Sequence, residues 1–211
     1  MILTKENRIE ETFGEIDRNF DFITLRNFHH IPKESSIEND IDLIIKKDQY
    51  HKFADMMKGL GFEVKFDVGH EYLYGAKEHI HCVDRKLGVH FDVVNGLYYR
   101  SLNQRNLFVG GFEYLENSLW ERKKSVEKCF RYVPADEDFL THICCHCIFD
   151  KMEVTPTYKK LIEKFYSKSD KKNVGVLFGH AFYGVADRLM DIIGEGNTTD
   201  IVKEYIEFSD Y

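Results

Sequence analysis

The chain has 211 residues and a formal net charge of −7, with 43% of residues apolar and 31% charged. That balance suits one large folded domain or two small ones and excludes a disordered chain. An acidic total creates no long-range field for an RNA or DNA backbone, so nucleic acid is not the expected partner.

Residues 4–19 carry Ile9, Phe13 and Ile16 at helical spacing, with acids between them, and predict an amphipathic helix. The apolar run 22–25 reads as a strand. Residues 27–39 hold Pro32, Ser35, Ser36 and Asn39 without periodicity and predict a loop. A second strand is expected over 41–45. A helix over 49–60 follows, with Asp48 as N-cap and Gly61 as its stop. The stretch 62–99 is β-rich and predicts a hairpin with arms near 77–83 and 88–94, turning around Asp84, Arg85 and Lys86. Residues 103–117 show no decisive pattern. From Pro134 onward the texture is helical, with helices expected over 136–150, 156–167, 173–193 and 198–208. Pro134 and Pro156 fall where a helix start tolerates proline. The fold class is therefore α+β: a small mixed sheet with flanking helices over residues 1–100, then a mainly helical region over 101–211.

Five cysteines, Cys82, Cys129, Cys144, Cys145 and Cys147, make an odd and crowded set that does not read as a disulfide framework. The first sixteen residues are charged from the start and lack a signal-peptide core. No stretch approaches the roughly 20 apolar residues of a membrane span. These features together predict a cytoplasmic protein. No feature of the sequence specifies an oligomeric state.

The chemistry is concentrated in the acids. Asp40 and Asp42 open the strand DIDLII, and alternation points both to one face while Ile41, Leu43 and Ile45 point to the other. Carboxylates about 6.5–7 Å apart along a strand can converge on one divalent cation or bridge two. Acids at the mouth of a strand this apolar need a reason. A second Asp-x-Asp, Asp136 and Asp138, begins a helix, where the helix dipole explains it. The third acid of interest is Asp92 in VHFDVV. Val89, Phe91 and Val93 form one face of that segment, and His90, Asp92 and Val94 the other. A carboxylate within a hydrophobic strand is costly unless paired or metal-bound.

The order of strand, loop, D-h-D strand, helix and later acid-bearing strand resembles the nucleotidyltransferase superfamily of the DNA polymerase beta type. The stretch ITLRNFHHIPKESSIENDIDLIIKKDQYHKFADMMKGLGF carries the resemblance, and GVHFDVV extends it. The segment LWERKKSVEKCFRYVPADEDFLTHICCH is similar to a bacterial branch of that superfamily associated with surface-polysaccharide genes. The resemblance implies an NTP donor, Mg2+ or Mn2+ held by Asp40, Asp42 and Asp92, and help from Asp92 in activating the attacking hydroxyl. The acidic chain favours a small acceptor, such as a sugar or polyol phosphate. Members of the superfamily usually carry a Gly-Gly or Gly-Ser pair before the D-h-D strand. Here that region reads Leu25-Arg26-Asn27-Phe28. Arg26 is either a charged fork for donor phosphate or a structural ion-pair arginine. Ser36, close to Asp40, and His90, on the face of Asp92, complete the expected donor-side residues.

A hairpin closed by a four-residue loop at 84–87 would set His81 opposite His90 and His79 opposite Asp92, with all four on one face. Such a cluster could orient phosphate or act as a base. For His79 and His81 the simpler expectation is a polar face in water. His142 and His146 lie four apart among Cys144, Cys145 and Cys147. Zinc is one reading of that set, but Cys144 and Cys147 point away from the histidine face, so buried thiols in a packed helix are expected instead. The glycines of 175–184 form no phosphate loop, because no Lys-Ser or Lys-Thr pair follows. The basic run 168–172 reads as a solvated turn between helices.

Two rival readings accompany the nucleotidyltransferase one. A phosphotransferase of the LicD/fukutin-like type shares the fold and moves a phospho-alcohol onto a glycan. A non-catalytic nucleotide- or sugar-binding module would keep the fold without turnover.

Overall fold

A computed structural model of the protein describes residues 4–66, 79–103, 108–109 and 112–209. The described residues form two compact units. The first comprises 4–66, 79–96 and 123–134, and the second 97–103, 108–109, 112–122 and 135–209. Part of the expected hairpin arm near 77–83 lies outside the described residues, as does part of the stretch 103–117.

The first unit opens with helix α1 (Lys5–Asn19), whose N-cap Thr4 accepts a hydrogen bond from the Asn7 amide. Ile9, Phe13 and Ile16 are buried along one stripe, as the spacing predicts. Strands β1 (Phe22–Thr24) and β2 (Ile41–Ile45), helix α2 (Tyr50–Gly59), and strands β3 (Glu63–Phe66), β4 (His79–Asp84) and β5 (Val89–Val94) follow. The strands form one mixed sheet in the order β1-β2-β5-β4-β3. Strands β2 and β5 are parallel, and the other three pairs are antiparallel. Phe13 packs edge-on against Phe91, 5.5 Å between ring centroids, and Phe62 meets the same ring at 5.8 Å. The Val89/Phe91/Val93 face thus belongs to the hydrophobic core. Arg8 fastens α1 to the hairpin, with its Nε 3.1 Å from Asp84.

Two local expectations change. Asp48 is not the cap of α2: it sits within a 3-10 turn over Lys47–Gln49, and the helix begins at Tyr50. The hairpin loop is 85–88, one residue later than expected. Asp84 Oδ1 accepts from the Lys86 and Leu87 amides, 3.2 Å each, and Gly88 takes a left-handed φ of 66°. Asp84 therefore pairs with Val89, His81 with Asp92, and His79 with Val94. The register moves by two residues, which preserves the face of every side chain.

The second unit is helical: α3 (Glu113–Arg122), α4 (Asp136–Cys145), α5 (Pro156–Lys168), α6 (Lys171–Phe182), α7 (Ala186–Gly194) and α8 (Ile201–Ser209). Helix α4 continues as a π-helical turn over His146–Lys151. The helix expected over 173–193 is two helices, divided at Tyr183, whose φ is 53°. The acids at the start of α4 do more than meet the helix dipole. Asp138 is buried and accepts from Ser118 Oγ at 2.6 Å and from Arg122 at 2.7 and 3.0 Å, joining α3 to α4. No helix among the described residues is long and apolar enough to cross a membrane. The architecture is α+β, a mixed five-stranded sheet with helices followed by a helical C-terminal region.

Candidate metal centre

Asp40 stands one residue before β2 and Asp42 two residues further on, so Ile41 between them turns to the opposite face. On the neighbouring parallel strand, Asp92 is the direct register partner of Asp42. Oxygens of Asp40, Asp42 and Asp92 all lie within 4.8 Å of one another. Side-chain exposure is 26% for Asp40, 7% for Asp42 and 16% for Asp92, so their mutual repulsion is only partly screened by water. Three oxygen donors gathered in this way fit a divalent cation.

Each acid has a basic or polar neighbour. The Arg26 guanidinium is paired with Asp42 Oδ1, and Asn27 Nδ2 lies 3.4 Å from Asp42 Oδ2. His79 is paired with Asp92, and His90 Nδ1 lies 4.0 Å from Asp40. The local charge also reaches Cys82, on the core side of β4. Burial, and secondarily the charge of Asp92, push its thiol up to about 12, so it stays protonated.

The structure brings Asp40, Asp42, Asp92, Arg26 and His90 together through these contacts. Ser36 is engaged in the approach to Asp40: its Oγ accepts from the Asn39 amide at 2.9 Å, and its own amide donates to Asn39 O at 3.0 Å. His90 Nδ1 braces the same loop at Ile37 O, 3.1 Å away.

Two residues of this environment depart from the sequence reading: Asn27 carried no expectation, and His79, expected on a polar face in water, is largely buried against Asp92. Asn27 adopts a left-handed φ of 57° in the segment that lacks glycine. Asn is among the few residues other than Gly that enter this region readily, and an Asn in a glycine-poor turn was the available signal. His79 is only 14% exposed at its side chain and touches Asp92, although the paired register sets it opposite Val94. The contact is diagonal across the strands, where long side chains still meet. His81 and His90 meet across the same diagonal, 3.1 Å from Nδ1 to Nε2.

The sequence profile of a family described as uncharacterised nucleotidyltransferase matches residues 36–163, more than half of the chain. The chain belongs to this nucleotidyltransferase family. The matched stretch includes Asp40, Asp42 and Asp92, whereas Arg26 and Asn27 precede it. No curated protein matches the chain. Elsewhere in the chain, the histidines of α4 and its extension have partners of their own. His142 Nδ1 lies 2.8 Å from Tyr99 OH, and His146 Nδ1 lies 3.1 Å from Asp150. Cys144, Cys145 and Cys147 are buried, and burial raises the thiols of Cys144 and Cys145 well above the ordinary range.

Proposed function

We propose that the protein transfers a nucleotidyl group from an NTP to a hydroxyl or phosphate of a small acceptor, with Asp40, Asp42 and Asp92 holding Mg2+ or Mn2+. The observation that carries this reading is the convergence of the three carboxylates from adjacent parallel strands within the family-matched stretch. A bound cation would neutralise charge on the donor phosphates. The remaining work falls to the chain. Asp92 takes the proton of the acceptor hydroxyl as its oxygen bonds to the α-phosphorus and pyrophosphate leaves. His79, paired with Asp92, holds that carboxylate in place. Arg26 turns its fork to donor phosphate once its charge is no longer needed at Asp42. Ser36 and His90 fix the loop that leads into Asp40. A sugar or polyol phosphate of surface-polysaccharide synthesis fits the acidic chain and the resemblance of its central segment. The five free cysteines fit a cytoplasmic setting.

The rival phosphotransferase reading is favoured by one observation: Arg26 and Asn27 occupy the segment where a glycine pair would meet a triphosphate. Calorimetric titration with Mg2+ and each NTP, and separately with a CDP-alcohol, decides between them. Metal-dependent binding of an NTP is the expected result. Preference for the CDP-alcohol would transfer the assignment to the rival. Absence of any metal effect would favour the non-catalytic binding module.

A further inference from the structure

Asp92 belongs to a second constellation. Ligand atoms of His79, His81 and Asp92 also lie within 4.8 Å of one another. The two histidines project from β4 on the face that Asp92 shares on β5, with their ring centroids 4.6 Å apart. We propose that His79, His81 and Asp92 form a second cation site, joined to the carboxylate site through Asp92, that takes a first-row transition ion of the Zn2+ or Co2+ class rather than Mg2+.

The donor chemistry argues for the distinction. Carboxylate oxygens suit Mg2+, which sheds water reluctantly and seeks oxygen ligands. Imidazole suits zinc, cobalt, nickel and iron, and two histidines with one carboxylate leave coordination positions open for water or substrate. A carboxylate has two oxygens, so Asp92 can serve both sites, as bridging acids do in paired metal centres.

His90 sets the metal-free state of His81. Its Nδ1 lies 3.1 Å from Ile37 O, a carbonyl that can only accept, so that nitrogen carries the proton. Its Nε2 then accepts from His81 Nδ1, 3.1 Å away. That same His81 nitrogen lies 3.8 Å from Asp92 Oδ1. Coordination there requires the proton to move from Nδ1 to Nε2 of His81, a change of tautomer with no net loss of a proton. Coordination through Nδ1 therefore replaces the hydrogen bond to His90, which holds the His81 ring on the Asp92 face in the metal-free chain.

The test does not depend on nucleotidyl transfer. Co2+ is titrated into the metal-free full-length protein, in the presence of excess Mg2+, and followed by its visible absorption and by calorimetry. One Co2+ per chain, displaced by Zn2+, is expected. His81→Gln and His79→Gln should each raise the Co2+ Kd by about tenfold or more, on the scale of disturbances around metal ligands. The Mg2+-dependent melting shift should survive in both. Asp40→Asn should have the converse effect, and Asp92→Asn should weaken both ions. Circular dichroism of each variant checks the fold. Absence of Co2+ binding, or Co2+ binding indifferent to both glutamine variants, would overturn the second site. Loss of the Mg2+ effect alone would count against the carboxylate site instead.

Discussion

Asp42 and Asp92, fifty residues apart in sequence, are direct register partners on two parallel, hydrogen-bonded strands. Their backbones are therefore held at the strand spacing of about 4.8 Å by the sheet ladder itself. Asp40 completes the set from the residue just before β2. Acids fixed by a sheet are placed more closely than acids on loops, which is what a metal centre needs. The arrangement is costly without a counter-charge, and Arg26 and His79 supply part of that charge in the metal-free chain.

Arg26 and a cation should compete for Asp42. Arg26→Ala leaves a nearly buried carboxylate without its partner, so metal-free stability should fall by about 3 kcal/mol. The Mg2+-dependent rise in melting temperature should become larger than in wild type, because the cation meets no competing guanidinium. Arg26→Lys should lie between the two. A melting loss identical with and without Mg2+ would make Arg26 a support of the fold alone. Thermal denaturation over a Mg2+ series reads both outcomes.

Asn27 is tested by two truncations that remove the same side-chain contacts. Asn27→Gly retains access to the left-handed backbone, and Asn27→Ala does not. The alanine variant should be less stable than the glycine variant by about 1 kcal/mol in urea denaturation. Equal stability would mean that this backbone conformation is not required.

Much of this was legible because two short periodicities carry it. Strand alternation put Asp40 and Asp42 on one face, and Asp92 and His90 on one face, and the sheet preserves both facts. Alternation cannot say which strands are neighbours. That β2 lies beside β5, rather than beside β3, depends on a crossover that no local pattern encodes. The hairpin is legible in kind, but its register is set by Asp84 folding back onto two amides and by Gly88. The helical break at Tyr183 was hidden for a different reason. Buried Val174, Leu177, Phe178, Ala181 and Phe182 before it, and Val185, Ala186 and Leu189 after it, keep one continuous helical spacing. The turn at Tyr183–Val185 preserves the phase, leaving Gly184 as the one local sign.

Alkaline stability should depend on the cysteines. Burial, and then the charge of Glu10, raise the Cys129 thiol from 9.0 to about 11. A raised folded value favours the protonated thiol in the native state. Its contribution is complete below about pH 9 and is lost as pH rises towards 11. Urea midpoints measured from pH 7 to 10.5 should therefore fall more gently in Cys129→Ala than in wild type. Parallel curves would contradict the assignment.

The most direct measurement is thermal melting of wild type and of Asp40→Asn, Asp42→Asn and Asp92→Asn, each with and without Mg2+ or Mn2+. Wild type should gain stability with added metal, by mass action on the folded state. Each asparagine variant should lose most of that gain. In Asp40→Asn the metal-free melting temperature should stay equal to that of wild type or rise, because one repelling carboxylate has gone, whereas Asp42→Asn and Asp92→Asn also give up the pairs with Arg26 and His79. A wild-type protein whose melting ignores both cations, or variants that respond to metal as wild type does, would contradict the metal centre.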